Sequence, residues 1–310
     1  MKILITGPHG FVGTNLIGAF WKGNEIYGLA QSKKAMPHVK QMFDWGDLKA
    51  GALPEVDAII HLAGKAHDTK NRAGAQVYFD VNTGLTKLIY DYFLQSKARK
   101  FIYFSSVKAA ADKVEGDVLT EDRPAKPVGP YGESKIEAEK YILAHPTEKD
   151  VYILRPCMMH GPGNKGNLNL LYKVVSKQIP WPLGAFENKR SFLSIDNMAY
   201  VVGLLLQKEA ASGVYQVSDD EALSTNELIG VICDTLGHKA HIWHLSPGLM
   251  KAMAHVGDWL HLPLNTERLG KLVENYVVSN DKIKRELGIK EMPIKARDGL
   301  RKTILAFGEK

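Results

Sequence analysis

Tyr131 and Lys135 are the residues whose types and spacing point most directly to chemistry. The four-residue spacing puts both side chains on one face of a predicted helix. An ammonium beside a phenol favours the phenolate and lowers its pKa from about 10 toward neutrality, so we expect Tyr131 to exchange a proton with an alcohol oxygen. Ser106 follows the strand predicted over residues 101–104. We expect its hydroxyl to bond the reacting oxygen and orient Tyr131, which together predicts a proton relay.

A glycine-rich turn follows the first predicted strand and opens the first predicted helix. Gly7, Gly10 and Gly13 have the spacing Gly-x-x-Gly-x-x-Gly. Glycines let a backbone approach a pyrophosphate closely, and the helix N-terminus presents free N–H groups and a positive dipole end. The turn therefore predicts dinucleotide binding. The contacts that we expect from it are Gly7, His9, Gly10, Phe11 and Val12.

The end of the second predicted strand bears on which nicotinamide cofactor is bound. An NAD site places an Asp or Glu there to bond the adenosine 2′-hydroxyl. Here the strand end carries no acid and is followed by Gln31, Ser32, Lys33 and Lys34. Amide and hydroxyl groups can hydrogen-bond a 2′-phosphate and lysines can supply charge, so this pattern favours NADP, with NAD as the alternative. We also expect Asp47 and Leu48 to contact adenine.

Composition sets the class of protein that must position these residues. The chain has 310 residues, 45% hydrophobic and 24% charged, which excludes a disordered, fibrous or disulfide-stapled protein. The longest apolar run, 198–206, is too short to cross a bilayer, and the apolar stretch near the N-terminus is too short for a signal peptide. We expect a cytoplasmic protein without membrane insertion. Cys157 and Cys233 lack the spacing of a metal site, so no metal is expected.

The net charge of +6 suits an anionic small substrate as well as nucleic acid. The sequence has no aromatic RNA-binding motif, zinc-finger spacing or dense block of basic residues. We therefore expect a small-molecule partner and no nucleic acid. A homodimer is compatible with the sequence, which leaves the oligomeric state open.

Strands alternate with helices through the first half of the chain. Strands are predicted over 2–5, 25–29, 58–62, 101–104, 151–154, 191–195 and 214–217, and helices over 11–20, 78–95 and 131–143. This alternation predicts an α/β fold with a Rossmann-type doubly wound parallel sheet. After residue 160 the sequence becomes rich in Gly, Pro and Asn, which indicates a loop over 160–169. We expect a dinucleotide-binding domain over 1–160, with some later segments packing back on it, and a smaller mixed α/β substrate domain over 161–310.

Taken together, these motifs resemble an extended short-chain dehydrogenase/reductase of the NAD-dependent epimerase/dehydratase family, which acts on nucleotide sugars. The residues that carry the resemblance are Thr6-Gly7, Gly10 to Gly13, His61 to Gly64, Val81-Asn82, Gly84, Ser105-Ser106, Tyr131, Lys135 and Arg155-Pro156. The resemblance implies that Ser106, Tyr131 and Lys135 are catalytic and that Lys135 also bonds the nicotinamide ribose. It implies further cofactor contacts at Leu62, Ala63, Gly64 and Pro156.

Several segments are similar to a branch of bacterial surface-polysaccharide pathways that contains UDP-hexose 4-epimerases and 4-ketohexose reductases. The segments are Ser105 to Lys108, Pro162 to Leu168, Pro182 to Gly184 and Asn188 to Ser191. In that branch an Asn-Leu pair and an arginine hold the nucleotide diphosphate. This implies substrate contacts at Lys108, Asn167, Leu168, Leu183 and Arg190. Further loop candidates are His61, Lys65 and His67, although for His61 we favour a structural role.

Two reactions at C4 of the sugar remain open, and the strand end at Lys33 favours the first. The first is an NADP(H)-dependent reduction of a nucleotide-linked 4-keto-6-deoxyhexose, for which we expect UDP as the nucleotide. The alternative is a 4-epimerase of UDP-hexoses of the UDP-glucose or UDP-N-acetylglucosamine type. UDP-galactose 4-epimerases carry an Asn shortly after the strand that ends in Arg155, and this chain has Cys157 there. A non-catalytic dinucleotide sensor is a third reading, against which the intact Ser106, Tyr131 and Lys135 count.

Overall fold

A seven-stranded parallel sheet forms the centre of the molecule. The computed structural model describes residues 1–65, 74–164, 166–260 and 265–308, with the backbone alone at Asn167. Within these ranges the strands, numbered in chain order, are β1 (Lys2–Thr6), β2 (Glu25–Ala30), β3 (Gln41–Asp44), β4 (Ala58–His61), β5 (Lys100–Phe104), β6 (Asp150–Pro156), β7 (Met158–His160), β8 (Arg190–Ser194), β9 (Gly213–Val217) and β10 (Ala222–Leu223). The large sheet has the order β3-β2-β1-β4-β5-β6-β9. This order confirms the predicted Rossmann-type fold.

Helices cover both faces of this sheet. Over the described ranges they are α1 (Phe11–Phe20), α2 (Trp45–Lys49), α3 (Ala75–Tyr78), α4 (Leu85–Gln95), α5 (Val107–Ala110), α6 (Gly129–Ala144), α7 (Asn167–Val175), α8 (Ile195–Gln207), α9 (Thr225–Leu236), α10 (Pro247–Leu260), α11 (Thr266–Val273), α12 (Asp281–Leu287) and α13 (Ala296–Gly308). A π-helical segment, Phe79–Gly84, joins α3 to α4. Among the residues that the structure describes, the helices are too short or too polar to traverse a lipid bilayer.

The strands separate two hydrophobic cores because successive side chains point to opposite faces. In β1, Ile3 and Ile5 pack into a core that α1 and α8 share, whereas Leu4 packs into a core with α4 and α6. All three are fully buried, and burying such a side chain contributes about 1.5–3 kcal/mol. The two cores hold the strand ends in register, so the residues that follow each strand meet at one edge.

A second, three-stranded sheet has the order β10-β8-β7. It lies beside a third core, to which α7, α9 and α13 contribute. The chain returns to the large sheet at β9, which pairs with β6, and α8 packs against the first core. Later segments therefore contribute to both sheets, and the division near residue 160 stays a prediction.

Several local features differ from the sequence-based expectation, among them the strands β7 and β10, the helix α2 and the π-helical segment within the helix predicted over 78–95. The four-residue strand β3 was not predicted, because it carries only two buried apolar side chains, Met42 and Phe43. The loop expected over 160–169 is shorter than predicted, since His160 ends β7 and Asn167 begins α7.

Candidate active site

The glycine turn between β1 and α1 forms a cradle of bare backbone. Gly7 has φ +67°, a conformation that side chains rarely adopt, and a Cβ there would lie 2.9 Å from the Ala63 nitrogen. A Cβ on Gly13 would lie 2.6 Å from the carbonyl oxygens of Gly7 and Pro8. Gly10 caps α1 without any side-chain hydrogen bond, so no capping side chain occupies the first N–H groups of the helix. These features fit a dinucleotide pyrophosphate at the helix N-terminus.

The residues after β4 lie next to this turn and extend toward Lys135. The Thr6 hydroxyl accepts hydrogen bonds from the backbone N–H groups of Leu62 and Ala63, at 3.1 and 2.9 Å. Gly64 follows, where a Cβ would lie 3.0 Å from Asn82 Oδ1 and 3.2 Å from Lys135 Nζ. The segment 62–64 therefore lies between the glycine turn and Lys135, as its predicted role in cofactor binding requires.

Asn82 holds this segment in place from the π-helical turn. Its Oδ1 accepts from the Lys65 N–H at 2.7 Å, and its Nδ2 donates to the Lys65 carbonyl at 3.2 Å and to the Ser134 hydroxyl at 2.9 Å. π-Helical turns occur frequently at functional sites. In the sequence, Asn82 was only one of the residues that carry the family resemblance. The structure shows that it ties the loop after β4 to α6. His67 lies outside the described residues.

Ser106 and Tyr131 are brought together as predicted. Ser106 is buried and begins α5, and its hydroxyl accepts from the Lys108 N–H at 3.2 Å. The same hydroxyl is hydrogen-bonded with Tyr131, at the start of α6. Burial raises the pKa of Tyr131 above 10, and the Ser106 hydrogen bond opposes this effect. The expected net lowering of this pKa is wrong, because burial has the largest effect.

The Lys135 ammonium points toward the end of β5. It donates to the Phe104 carbonyl at 2.8 Å and lies 5.0 Å from the centre of the Tyr103 ring. Burial lowers the pKa of Lys135 to about 8, and the negative charge of Glu139 opposes that shift. Ser106, Tyr131 and Lys135 therefore come together at the carboxyl edge of the sheet. There they can exchange a proton with a hydroxyl group.

Glu139 and Arg155 are buried next to this group, and the sequence analysis assigned neither a role in the site. The Arg155 guanidinium donates to both carboxylate oxygens of Glu139, with an Nη2–Oε2 distance of 2.5 Å. The Ser105 hydroxyl donates to the same carboxylate. A signal was present in the sequence, because Tyr131, Lys135 and Glu139 follow one another at four-residue intervals on α6.

His61 has the structural role that we favoured, at the end of β4 rather than in a loop. Its Nδ1 lies 2.7 Å from the Thr6 hydroxyl, and its Nε2 lies 2.9 Å from the Thr86 hydroxyl. Burial lowers the pKa of His61 to about 3, with a contribution from the Lys135 charge. The imidazole is therefore neutral and holds β1 and β4 against α4.

An ion pair lies where β2 and β3 end, at the position predicted for the adenosine part of the cofactor. Lys33 Nζ lies 2.7 Å from Asp47 Oδ1 and 3.6 Å from Asp44 Oδ2. Asp44 is the register partner of Ala30, the last residue of β2. An acid therefore does stand beside the end of β2, contrary to the sequence-based expectation, because β3 brings it there. Of the other predicted cofactor contacts, Gln31 and Ser32 are exposed and Leu48 is buried. The Nε2 atom of His9 lies 3.1 Å from the Lys34 carbonyl.

The predicted substrate residues lie around the second sheet and α5. The Arg190 guanidinium donates to the carbonyls of Lys271 and Glu274 at the end of α11. Leu168 and Leu183 are buried in separate apolar clusters. Lys108 pairs with Asp112 at 2.9 Å and lies 4.6 Å from the centre of the Tyr276 ring. Pro156 is buried at the end of β6. Asn167 begins α7, and its side chain lies outside the described part of the chain.

The described ranges contain no group of three or more His, Cys, Asp or Glu side chains that could hold a metal ion. Both cysteines, Cys157 and Cys233, are buried and free. The site that the structure does assemble consists of hydroxyl groups, one ammonium and bare backbone. Such a set suits proton exchange beside a bound dinucleotide.

Comparison with known proteins places this geometry in a family. Residues 3–218 match the model of the NAD dependent epimerase/dehydratase family. The chain is 36% identical to UDP-glucose 4-epimerase from Vibrio cholerae, over 74% of either protein. It is 29% identical to N-acetyl-alpha-D-glucosaminyl-diphospho-ditrans,octacis-undecaprenol 4-epimerase from Escherichia coli O157:H7, over 79% of this chain and 75% of that protein.

Solved structures are similar in fold. UDP-N-acetylglucosamine 4-epimerase from Bacillus cereus superposes with a TM-score of 0.78 at 20% identity, covering 99% of both chains. The family match covers the glycine turn and the segment that carries Ser106, Tyr131 and Lys135. We conclude that this chain is an enzyme of the NAD-dependent epimerase/dehydratase family.

Proposed function

We propose that the protein is an NAD-dependent 4-epimerase of a UDP-hexose. The observation that carries this proposal is the 36% identity to a UDP-glucose 4-epimerase across 74% of either chain. The epimerase was the alternative in the sequence analysis, where the NADPH-dependent reductase was favoured because the strand end from Gln31 to Lys34 carries two lysines and no acid. We no longer favour the reductase on this ground, because the Lys33 charge is paired with Asp47.

The residues present fit NAD. The glycine turn leaves room for the pyrophosphate, and segment 62–64 leads from it to Lys135. Two carboxylates, Asp44 and Asp47, lie at the end of β2 and β3, where a ribose hydroxyl is a better partner than a phosphate. NAD⁺, when bound, supplies the acceptor that takes a hydride from C4 and gives it back.

The chain's own groups move the proton. Tyr131 accepts the proton of the C4 hydroxyl while C4 is oxidised and returns it when the ketone is reduced from the other face. Ser106 bonds the same oxygen and orients the phenol, as its hydrogen bond with Tyr131 indicates. Lys135 lies one helical turn after Tyr131 on α6. We expect its positive charge to favour the phenolate form of Tyr131 during proton transfer and so to work against the effect of burial.

The nucleotide diphosphate would be held at the second sheet. Arg190 has five N–H donors and uses two of its nitrogens for the carbonyls at the end of α11. Its half-buried position makes a bond to a diphosphate stronger than one at the surface. Lys108, Asn167, Leu168 and Leu183 remain proposed contacts in the same region.

The test is to analyse the purified protein without added cofactor. We expect bound NAD in the denatured extract, and interconversion of UDP-glucose and UDP-galactose, or of their N-acetylated forms, without net change in nicotinamide absorbance. Stoichiometric consumption of NADPH with a UDP-4-keto-6-deoxyhexose, and no interconversion of UDP-hexoses, would instead establish the reductase.

A sugar diphosphate linked to a polyprenol is a second candidate substrate. One relative is named for a diphospho-undecaprenol substrate, and α10 shows an outward face that suits a lipid. Its exposed apolar side chains are Leu249, Met253, Val256, Trp259 and Leu260, of which Trp259 is 80% exposed. Contiguous apolar patches on soluble proteins commonly mark binding sites. The opposite face of α10 packs on Leu183 through Met250 and Ala254.

Vesicles distinguish the two substrates. If the lipid-linked sugar is used, the protein should sediment with vesicles that carry it, and the double substitution Met253→Glu and Val256→Glu should abolish this sedimentation. The same variant should keep its activity on soluble UDP-sugars. Absence of turnover with the lipid-linked sugar, beside turnover of UDP-hexoses, would remove this candidate.

A further inference from the structure

Glu139 is a fully buried carboxylate that accepts hydrogen bonds from three donor atoms of two residues. Arg155 donates to it from Nε and Nη2, and Ser105 donates from its hydroxyl. The side chains of Glu139 and Arg155 are 0% and 7% exposed. Removing two charges from water costs several kcal/mol each, so a buried ion pair is often no more stable than an apolar pair of the same size. Stability alone therefore does not account for this pair.

The position of the pair connects it with the reacting groups. Glu139 lies one helical turn after Lys135 and two turns after Tyr131 on α6. Lys135 donates to the Phe104 carbonyl, and the next residue, Ser105, donates to Glu139. α6 thus holds the end of β5 at two consecutive residues. The residue that follows them is Ser106, which contacts Tyr131.

We propose that Glu139 is a positioning residue for the reaction: paired with Arg155, it fixes the strand end that carries Ser106 and provides the counter-charge for the Lys135 ammonium. The inference deepens the proposed function, on which it rests for the identity of the catalytic group. It assigns a role to a carboxylate that does not touch the substrate itself.

The electrostatics of the cluster agree with this role. Burial lowers the pKa of Lys135 to about 8, and Glu139 opposes that shift. Among the residues that the structure describes, other ionisable groups at this cluster are His61 from β4, Tyr103 from β5, Arg155 from β6, Tyr131 from α6 and Tyr78 from α3, which packs on Tyr131. His61 is neutral because burial lowers its pKa to about 3, and burial also raises the pKa of Tyr103. Glu139 therefore favours the protonated form of Lys135 and counteracts the effect of burial.

The substitution Glu139→Gln tests the charge while it keeps the size of the side chain. We expect the Lys135 pKa to fall by about one pH unit or more, because an opposite charge at this range has an effect of that size. The pKa is read by NMR on protein with ¹³Cε-labelled lysine, where the Lys135 signal is the one that Lys135→Met removes. The alkaline limb of the plot of kcat/KM against pH should move to lower pH together with this pKa.

The matched control is Glu137→Gln, the same change two residues away on the exposed side of α6, where Glu137 pairs with Lys140 at 2.6 Å. This variant should leave both the Lys135 pKa and the alkaline limb unchanged. The NMR titration needs no substrate, so a wrong substrate assignment does not affect it.

A second variant covers the case in which Glu139→Gln does not fold because it leaves Arg155 without a partner. The double substitution Glu139→Gln and Arg155→Met removes both charges together, a change that buried ion pairs often tolerate. It should still lower the Lys135 pKa, although by less than Glu139→Gln alone, because loss of the Arg155 charge acts in the opposite direction. A folded variant, single or double, whose Lys135 titrates as in the wild type would overturn the proposal.

Discussion

The Lys33 ammonium lies 2.7 Å from the Oδ1 atom of Asp47, in an ion pair at the edge of the sheet where β2 and β3 end. Asp47 also accepts a hydrogen bond from the Asp44 N–H through its other oxygen, at 2.9 Å. The hydrogen bond to Lys33 lowers the pKa of Asp47, which therefore stays ionised. The lysine that the sequence analysis assigned to a 2′-phosphate thus has a resident partner.

The first prediction concerns cofactor preference. The wild type should bind NADH more tightly than NADPH, because a 2′-phosphate would meet two carboxylates. Asp47→Asn should free Lys33 and improve NADPH binding severalfold relative to NADH, as measured by fluorescence titration of protein stripped of nucleotide. Glu55→Gln, which removes another exposed lysine partner far from this edge, is the control. An unchanged NADPH-to-NADH ratio in Asp47→Asn would show that the pair does not set the preference.

The second prediction concerns the proton. Tyr131→Phe should lower kcat by about 10²–10⁴-fold, the usual contribution of a positioned acid or base, while the content of bound nucleotide stays the same. Tyr141→Phe removes a phenol on the same helix that donates to Asp91, and it should leave kcat unchanged. Tyr131 would lose its assigned role if the variant kept more than about a tenth of the wild-type rate.

The third prediction concerns the diphosphate. Arg190→Ala should weaken the binding of free UDP by about 1.5–3 kcal/mol, roughly ten- to a hundredfold in Kd, because a charge-assisted hydrogen bond is lost. Calorimetric titration with UDP measures this directly. Arg297→Ala, which breaks an exposed pair with Glu227, should leave UDP binding intact. Equal UDP affinities for wild type and Arg190→Ala would remove Arg190 from the site.

The fourth prediction concerns the glycine turn. Gly13→Ala should destabilise the fold and abolish nucleotide binding, because its Cβ would lie 2.6 Å from two carbonyl oxygens that belong to the backbone. Gly18→Ala is the control on the same helix, where nothing lies within 4 Å of the added Cβ. That variant should stabilise the protein by about 0.5–1 kcal/mol. Thermal unfolding and nucleotide content together check both variants, and similar behaviour of the two would contradict the close packing at Gly13.

The fifth prediction is a pH dependence of stability. The pKa of His61 is about 3 in the folded chain, against about 6.5 in the unfolded chain. Below pH ~6.5 the unfolded chain takes up a proton that the folded chain does not, so the stability that is present above this pH is lost as the pH falls toward 3. The loss from this residue reaches about 1.4 kcal/mol per pH unit.

Urea unfolding at pH 7, 6 and 5 measures this effect. The wild type should lose stability more steeply than His61→Gln on acidification, so the difference between the two should shrink as the pH falls. Parallel curves for the two proteins would show that His61 does not carry this dependence.

The sequence by itself predicted the alternation of strands and helices and the residues of the proposed catalytic group. The helix over residues 11–20 was predicted with its exact observed ends, because a glycine turn precedes it and apolar side chains recur with helical spacing along it. Tyr131 and Lys135 were recognised because their spacing is a local property of one helix. Such features depend on residues close together in the sequence, so hydrophobic periodicity and turn residues are enough to predict them.

Tertiary structure decided which side chains are partners across elements. Asp44 stands beside Ala30 only because β2 and β3 pair in that register, and this contact changed the expected cofactor. Glu139 meets Arg155 and Ser105 only because α6 crosses the ends of β5 and β6. Both partners of Glu139 lie 16 or more residues away from it in the sequence, so no local pattern contains them. The packing of helices on the twisted sheet brings them together.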